Sequence, residues 1–215
     1  MSIDDEREAT ARAWKLAKEQ RELEMETEQA RRRMLAAGFP ERALKVARER
    51  EPQLITPALR ATRLWAEGPG SGNHPKRNIL LLIGNPGCGK TTAAVWWALH
   101  MRLGRAAFIR AAEYAALPEN RRAAIRDVPA LVFDDLGTEK DRRSVAAEHA
   151  LLIDVFYADQ KPLVITTMLS LEELAERFRV RVGNNASGYV IGRLRESGCI
   201  RGVPGTDLRA NGEED

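Results

Sequence analysis

One short segment limits the fold of this chain more than any other feature. Residues 84–91 read Gly-Asn-Pro-Gly-Cys-Gly-Lys-Thr and fit the pattern G-x4-G-K-[ST]. An apolar stretch typical of a strand, residues 78–83, comes directly before them, and a stretch typical of a helix, residues 93–101, follows. Strand, glycine-rich loop and helix in this order predict an α/β chain with a phosphate-binding loop for a nucleoside triphosphate.

Each part of this loop has a chemical task. The glycines let backbone N–H groups close around phosphate oxygens, the Lys90 ammonium neutralises the outer phosphates, and the Thr91 hydroxyl completes the shell of a Mg²⁺ ion. A helix that begins near Thr91 adds the positive end of its dipole. The residues that we assign to nucleotide binding are Gly84, Asn85, Pro86, Gly87, Cys88, Gly89, Lys90, Thr91 and Thr92.

A second segment, residues 130–137, reads ALVFDDLG. An apolar run followed by two acids predicts a buried strand that brings carboxylates to its C-terminal edge, where open α/β sheets hold their ligands. We expect Asp134 to bind Mg²⁺, directly or through water. Asp135 is then placed to polarise the water that attacks the terminal phosphate, and we assign it and Lys90 to catalysis.

Two further segments carry weaker signals. Residues 163–170 read LVITTMLS, a buried strand whose hydroxyls, Thr166 and Thr167, could sense the terminal phosphate or position water; the alternative is an ordinary β-branched strand end. Residues 191–196 read IGRLRE and predict a helix. From it Arg193 could reach a phosphate held by a neighbouring subunit, as an arginine finger, or it could be a solvated surface arginine.

The rest of the chain suggests one α/β core with a helical extension. Strands and helices alternate from residue 78 onward, as a parallel sheet covered by helices requires. Residues 4–37 contain no Pro or Gly and predict one long helix that ends at Gly38. Its apolar stripe is too thin for a core of its own, so the helix is either exposed and charged, or it docks on a partner or forms a short coiled coil. We divide the chain into a partner-docking extension (1–51), a core (52–209) and a disordered acidic tail (210–215).

Composition excludes some classes of protein. With 215 residues and 44% hydrophobic content, the chain can bury one good-sized core. The N-terminus begins with charged residues, and the longest apolar run has only the length of a strand. We therefore expect neither a signal peptide nor a membrane span, and the predicted location is the cytoplasm.

Taken in order, the segments GNPGCGKT, VFDDLG, VITTMLS and VIGRLRES resemble the AAA+ ATPases of the bacterial helicase-loader group. These are the DnaC-like proteins and their relatives, the IstB-like transposition ATPases, and the resemblance covers roughly residues 37–209. It implies a P-loop NTPase fold of AAA+ type, with three layers around a parallel sheet of about five strands. The strand that ends at Thr167 is expected between the loop strand and the acidic strand, and the implied cofactors are ATP and Mg²⁺.

The same resemblance implies partners. Its members assemble with ATP into a ring or spiral, which would make Arg193 a finger in trans, and they contact single-stranded DNA. In loaders an N-terminal extension binds the replicative hexameric helicase, a task for which residues 1–51 are positioned. On this basis the predicted function is ATP-dependent helicase loading in DNA replication.

The chain departs from the family pattern at two places. Met168 stands where the family usually has Asn, which removes a water-positioning amide, so hydrolysis is slow or depends on Thr166 or Thr167; we assign Thr167 to the site. Too few residues follow Leu208 for the helical lid of larger AAA+ proteins, so the lid is predicted to be minimal or absent.

Two other functions stay open. An IstB-like transposition ATPase, which polymerises on duplex DNA and recruits a transposase, fits the core motifs equally well. An ATP-gated adaptor that binds ATP and hardly hydrolyses it is favoured by Met168. For single-stranded DNA the candidate contacts are a basic cluster, Arg102, Arg105, Arg110, Arg121, Arg122 and Arg126.

Overall fold

The computed structural model describes residues 15, 18, 25, 28–49, 55–68, 78–100, 106–138, 143–205 and 207–208. The strands are β1 (Ile79–Ile83), β2 (Ala106–Arg110), β3 (Ala130–Leu136), β4 (Leu163–Thr167) and β5 (Gly198–Gly202). The helices are α1 (residues 28–36 of its described part), α2 (Glu41–Glu49), α3 (Pro57–Glu67), α4 (Lys90–His100), α5 (Ala111–Ala116), α6 (Glu119–Arg126), α7 (Arg143–Ala158), α8 (Leu171–Val182) and α9 (Asn184–Ser197).

The five strands form one parallel sheet in the order β2-β3-β4-β1-β5. As predicted, β4 lies between the loop strand β1 and the acidic strand β3. Because parallel strands end at the same edge, the loop after β1 and the acids of β3 meet at the C-terminal edge. This edge is the frame of the candidate site.

Side chains of the central strands alternate between two buried faces, as the two-residue period of a strand requires. In β1, Leu80 and Leu82 enter the core under α2, α3 and α4, whereas Ile79 and Leu81 enter the core under α5, α7, α8 and α9. Apolar residues are therefore needed at every position of β1. This explains why its sequence is a continuous apolar run instead of an alternating one.

The core on the α4 side begins earlier in the chain than the sequence predicts. Phe39 and Leu44 are almost fully buried there, and the Phe108 N–H of β2 donates to the Ala37 carbonyl over 2.9 Å. The compact part therefore includes residues from Met34 to Ala47, which lie ahead of the predicted boundary at 51/52. α2 and α3 both pack on α4, and α3 also contacts β1 and β5, so these helices extend the buried region on this side of the sheet.

The two neighbouring tryptophans of α4 are both buried. The sequence predicts one in the core and the other at an interface, because adjacent helical residues point about 100° apart. Trp97 instead packs on Trp65 of α3 with ring centroids 5.4 Å apart, and Trp96 is stacked on His100 at 4.2 Å under the guanidinium of Arg63. The second layer of helices covers both directions, so both rings are buried within the chain.

The ends of three helices carry residues that are typical of helix caps. Thr56 caps α3 by accepting from the Leu59 N–H, with Pro57 at the first helical position. Ser170 and Glu173 form a reciprocal capping box at the start of α8. α1 ends before Gly38, whose φ of +90° lies in the region that favours glycine.

Several predicted features lie outside the described residues: most of the helix over residues 4–27 and the acidic tail, 210–215. In the described part, no helix follows β5, in line with a minimal lid. None of the helices with described residues has the length and apolar character needed to cross a bilayer.

Candidate nucleotide-binding site

The loop between β1 and α4 is closed around the lysine side chain. Lys90 Nζ donates to the carbonyl oxygens of Gly84 at 2.7 Å and Asn85 at 2.8 Å, and only 7% of the residue is exposed. Lys90 is also the first residue of α4. The ammonium and the N-terminus of the helix thus lie together inside the loop, which concentrates positive charge where phosphate groups would bind.

Close backbone packing requires glycine in the loop. Gly87 has φ +79°, and a Cβ atom there would lie 1.9 Å from Asp207 Oδ1. Its carbonyl accepts from the Leu208 N–H at 3.1 Å. At Gly84 a Cβ atom would lie 2.5 Å from the Val203 carbonyl oxygen. We call residues 203–208 the C-terminal segment; its described residues run along the outside of the loop.

Three side chains of different elements meet beside the loop. Asp134 Oδ1 accepts from the Thr91 hydroxyl at 2.9 Å and from the Thr166 hydroxyl at 2.6 Å. Asp134 is 3% exposed, and this burial raises the pKa of its carboxyl, with the charge of Asp135 acting in the same direction. The two hydroxyl donors act against the shift and favour the charged form of Asp134.

These residues fit the nucleotide and metal that the sequence predicts. The Thr91 hydroxyl and the Asp134 carboxylate provide two oxygen ligands 2.9 Å apart, of the kind that Mg²⁺ prefers. Lys90, Gly87 and Gly89 would surround the phosphates. The metal would supply positive charge to the phosphoryl group during transfer.

Asp135 lies at a break in the strand ladder. Phe133 pairs with Ile165 and Leu136 with Thr167, so Asp134 and Asp135 together oppose the single residue Thr166. This bulge gives Asp135 a φ of +57° and leaves it exposed at the edge, while Asp134 stays buried. The bulge thus separates the two acids into a buried carboxylate next to Thr91 and an exposed one.

The structure does not bring Thr167 to this site. Its side chain is fully buried on the opposite face of the sheet, where its hydroxyl donates to the Leu136 carbonyl at 2.6 Å and accepts from the Leu169 N–H at 3.0 Å. Thr166 faces Asp134 instead, because consecutive strand residues point to opposite faces. The assignment of Thr167 is corrected for this reason, and Met168 is half exposed beyond the strand.

The other loop residues lie where the motif predicts. Cys88 is buried, Asn85 and Pro86 are exposed, and Thr92 is partly exposed in the first turn of α4. The role of each of these residues in binding a nucleotide stays a prediction.

Arg193 lies away from these residues in its own subunit. Its guanidinium packs over the rings of Tyr157 at 4.1 Å and Tyr189 at 4.2 Å, and its Nε is 3.4 Å from Asp154 Oδ1. Asp154 and Tyr157 belong to the last part of α7, which leads to the N-terminal end of β4. Arg193 therefore lies toward the sheet edge opposite to the loop.

Part of the predicted basic cluster is engaged in ion pairs. Arg126 bonds to Glu119, and Arg122 contacts Glu119 at 2.9 Å and Glu148 at 3.2 Å. Both arginine side chains are mostly buried. Arg102 and Arg105 lie outside the described residues. Arg110 and Arg121 are exposed, and Arg110 contacts Glu113 at 3.7 Å. Because Arg122 and Arg126 are paired and mostly buried, the described part of the cluster offers less positive surface than the sequence suggests.

Sequence reasoning named Thr166 only as an alternative to Thr167, and it missed the C-terminal segment as a part of the site. Consecutive strand residues alternate between the two faces of the sheet, and this alternation could have indicated Thr166. Thr166 and Asp134 lie near the ends of neighbouring strands, on the same face. The contact of Asp207 and Leu208 with Gly87 joins residues far apart in the chain, and no local pattern announces it.

Three solved structures have a similar fold. DnaI is 20% identical, with 70% of this chain and 81% of that chain covered and a TM-score of 0.56. A DnaC helicase loader is 22% identical, with coverages of 66% and 85% and a TM-score of 0.50. A putative primosome component from Streptococcus pyogenes serotype M3 is 20% identical, with coverages of 69% and 78% and a TM-score of 0.51.

The likeness at these identities is one of fold, and the predicted α/β fold around a parallel sheet of five strands is confirmed. No protein-family model and no curated protein matches the sequence.

Proposed function

We propose that this chain is an ATP-dependent helicase loader. In this proposal it binds a replicative hexameric helicase through its N-terminal helical region and assembles with ATP and single-stranded DNA. The observation that carries it is the convergence of Lys90, Thr91, Asp134 and Asp135 at one edge of a sheet whose fold is similar to that of a DnaC helicase loader.

The chemistry that we propose divides the work among residues of the site. Lys90 exchanges its two carbonyl partners for phosphate oxygens, and Thr91 and Asp134 hold the metal ion. Asp135, exposed at the edge, orients the attacking water and accepts its proton. In this division the buried acid binds and the exposed acid catalyses.

The finger role that we propose for Arg193 requires a neighbouring subunit. Its guanidinium would leave Tyr157, Tyr189 and Asp154 and stabilise the charge on a phosphate held by the next copy. Such an exchange would make hydrolysis depend on assembly.

The proposed helicase-binding region is the part of the extension that lies ahead of the compact fold. Lys15, Lys18 and Met25 are described there, and all three are exposed; Met25 is 67% exposed. Packing against the core begins at Met34. A partner could thus contact this region without competing with the core.

A pull-down with the purified replicative helicase of the source organism tests the proposal. The deletion to use removes residues 1–27, because a deletion of 1–51 would also remove Phe39 and Leu44 from the core. We expect the intact chain to retain the helicase and the shortened chain to lose it. Retention by neither, with both folded, would contradict the loader proposal.

A pair of point variants gives a matched control. Met25→Glu changes an exposed apolar residue of the extension, and Val180→Glu changes one of α8 with the same exposed fraction, 67%. Weakened helicase binding is expected for Met25→Glu alone. Equal weakening in both variants would point to a nonspecific effect of charge.

An ATP-gated adaptor is the second candidate, because Met168 follows β4 at the position where the resembled family usually has a water-positioning Asn. It predicts tight ATP binding with almost no turnover, even in the presence of helicase and single-stranded DNA. Turnover that these partners stimulate, and that Asp135→Asn abolishes, would exclude it.

A further inference from the structure

Thr166 occupies a particular position between the two acids. Its hydroxyl donates its proton to Asp134 Oδ1 at 2.6 Å and accepts from the Asp135 N–H at 3.0 Å. The side chain is fully buried, so the contact with Asp134 is shielded from water, and the contact with Asp135 is partly buried. One hydroxyl thus joins the carboxylate of Asp134 to the backbone of Asp135.

The backbone of Asp135 needs such a contact. Its φ of +57° is a left-handed conformation that costs a non-glycine residue about 1–2 kcal/mol. In the bulge, Asp134 and Asp135 share the single opposite residue Thr166, whose side chain accepts the Asp135 N–H. Backbone strain of this kind persists only where the surroundings enforce it.

Neighbouring hydroxyls do not make the same connection. Thr91 contacts Asp134 only from the α4 side, and the Thr167 hydroxyl bonds to Leu136 and Leu169 on the opposite face. Among the described contacts, that of Thr166 reaches both acids. The direction of the exposed carboxylate at residue 135 therefore depends on a hydroxyl that comes from β4.

We propose that Thr166 is a positioning residue for hydrolysis, which holds the bulge of β3 so that the Asp135 carboxylate points at the attacking water while Asp134 is kept as a metal ligand. This inference rests on the proposed function in one respect, the role of Asp135 as the base. Thr166 touches no reacting atom; it acts through Asp135.

The first test is kinetic and uses the full-length chain. Thr166→Val keeps the shape of the side chain and removes the hydroxyl. We expect kcat for ATP to fall roughly 10- to 100-fold with KM changed less than about threefold, and Thr166→Ser to restore turnover. Thr62→Val, which removes a buried hydroxyl from α3, is the control and should leave kcat unchanged.

Hydrogen exchange of the Asp135 amide in nucleotide-free protein gives a second readout that needs no hydrolysis. We expect exchange about tenfold faster in Thr166→Val than in the wild type, and wild-type exchange in Thr166→Ser. If the wild type hydrolyses no ATP, the proposed function fails, and the exchange rates still test the position of Asp135.

Two results would overturn the inference. One is unchanged exchange at Asp135 in a folded Thr166→Val protein. The other is full turnover in Thr166→Val together with lost turnover in Thr167→Val, which would return the role to Thr167.

Discussion

The region around Asp134 and the region around Arg193 hold charged groups in different ways. Asp134 is fixed by hydroxyls that reach it from a helix and a strand, Thr91 and Thr166, in a buried place. Arg193 is held between the rings of Tyr157 and Tyr189, with Asp154 beside it, and 25% of its side chain is exposed. The first arrangement joins its groups by short hydrogen bonds inside the fold, whereas the second holds a guanidinium between rings that are themselves partly exposed. In the function proposed above, the chain builds the nucleotide site itself and Arg193 acts on the next subunit.

The largest expected effect is at Lys90. Lys90→Ala removes the buried ammonium that bonds to Gly84 and Asn85 and that would neutralise the phosphates. We expect ATP affinity and turnover both to fall by about a factor of 100 or more, measured with a fluorescent ATP analogue and by phosphate release.

Asp135→Asn is the matched control for Lys90→Ala. It should reduce turnover to a similar extent and leave ATP affinity nearly unchanged, because the Asp135 side chain, unlike the backbone N–H of that residue, takes no part in the contacts of the Asp134 carboxylate. Equal losses of affinity in both variants would remove the distinction between a binding and a catalytic residue.

Arg193→Ala tests whether the second region serves another subunit. We expect turnover to fall roughly 10- to 100-fold while each chain still binds ATP. Mixing Arg193→Ala with Asp135→Asn should restore part of the activity, since one chain supplies the finger and the other the base. Unchanged turnover in Arg193→Ala, or a mixture that stays inactive, would contradict the finger role. Arg193 would then act only through its contacts with Tyr157 and Tyr189 in its own chain.

Gly87→Ala tests how tightly the first region is packed. Alanine at φ +79° is strained, and its Cβ would collide with Asp207, so we expect a loss of about 2 kcal/mol in the free energy of unfolding. Gly192→Ala in α9 is the control, because a Cβ there meets nothing within 4 Å. A helical glycine of this kind should gain up to about 1 kcal/mol when replaced by alanine. Denaturant titration measures both.

The smallest effect is a pH-dependent gain of stability in Asp134→Asn. Burial raises the pKa of Asp134 above its ordinary value of 3.8, so the folded chain binds this proton more tightly than the unfolded chain does. The stability that follows is fully present below the ordinary pKa and is lost as pH rises through the raised pKa.

At neutral pH the nucleotide-free wild type therefore carries a costly buried charge. Asp134→Asn keeps an oxygen for Thr91 and Thr166 and should be more stable by about 1 kcal/mol, with the difference vanishing in acid. Thermal melts across pH measure this. Mg²⁺ and ATP should raise the melting temperature of the wild type more than that of the variant.

Much of the fold follows from local patterns in the sequence. The motif at residues 84–91 and the apolar strands both act over a few residues, and the structure agrees with each. The position of β4 between β1 and β3 was taken from the family resemblance, and it is also confirmed.

The features of the structure that the sequence did not predict depend on contacts between residues that are distant in the chain. To choose between Thr166 and Thr167, one must know on which face of the sheet Asp134 lies. The bulge that changes the backbone conformation of Asp135 forms only when β3 pairs with β4. Burial of Phe39 and Trp96 follows from a second layer of helices, which a hydrophobic pattern in one helix does not reveal.

Because the C-terminal segment packs on the loop, the nucleotide site can be completed only late in the synthesis of the chain. A ribosome makes residues 84–91 well before residues 203–208, an interval on the order of ten seconds at ordinary elongation rates. During that interval Gly84 and Gly87 lack the chain that packs on them, and β1 lacks its neighbour β5. A nascent chain thus carries the complete motif before it has the completed loop, and its affinity for ATP should rise late in synthesis.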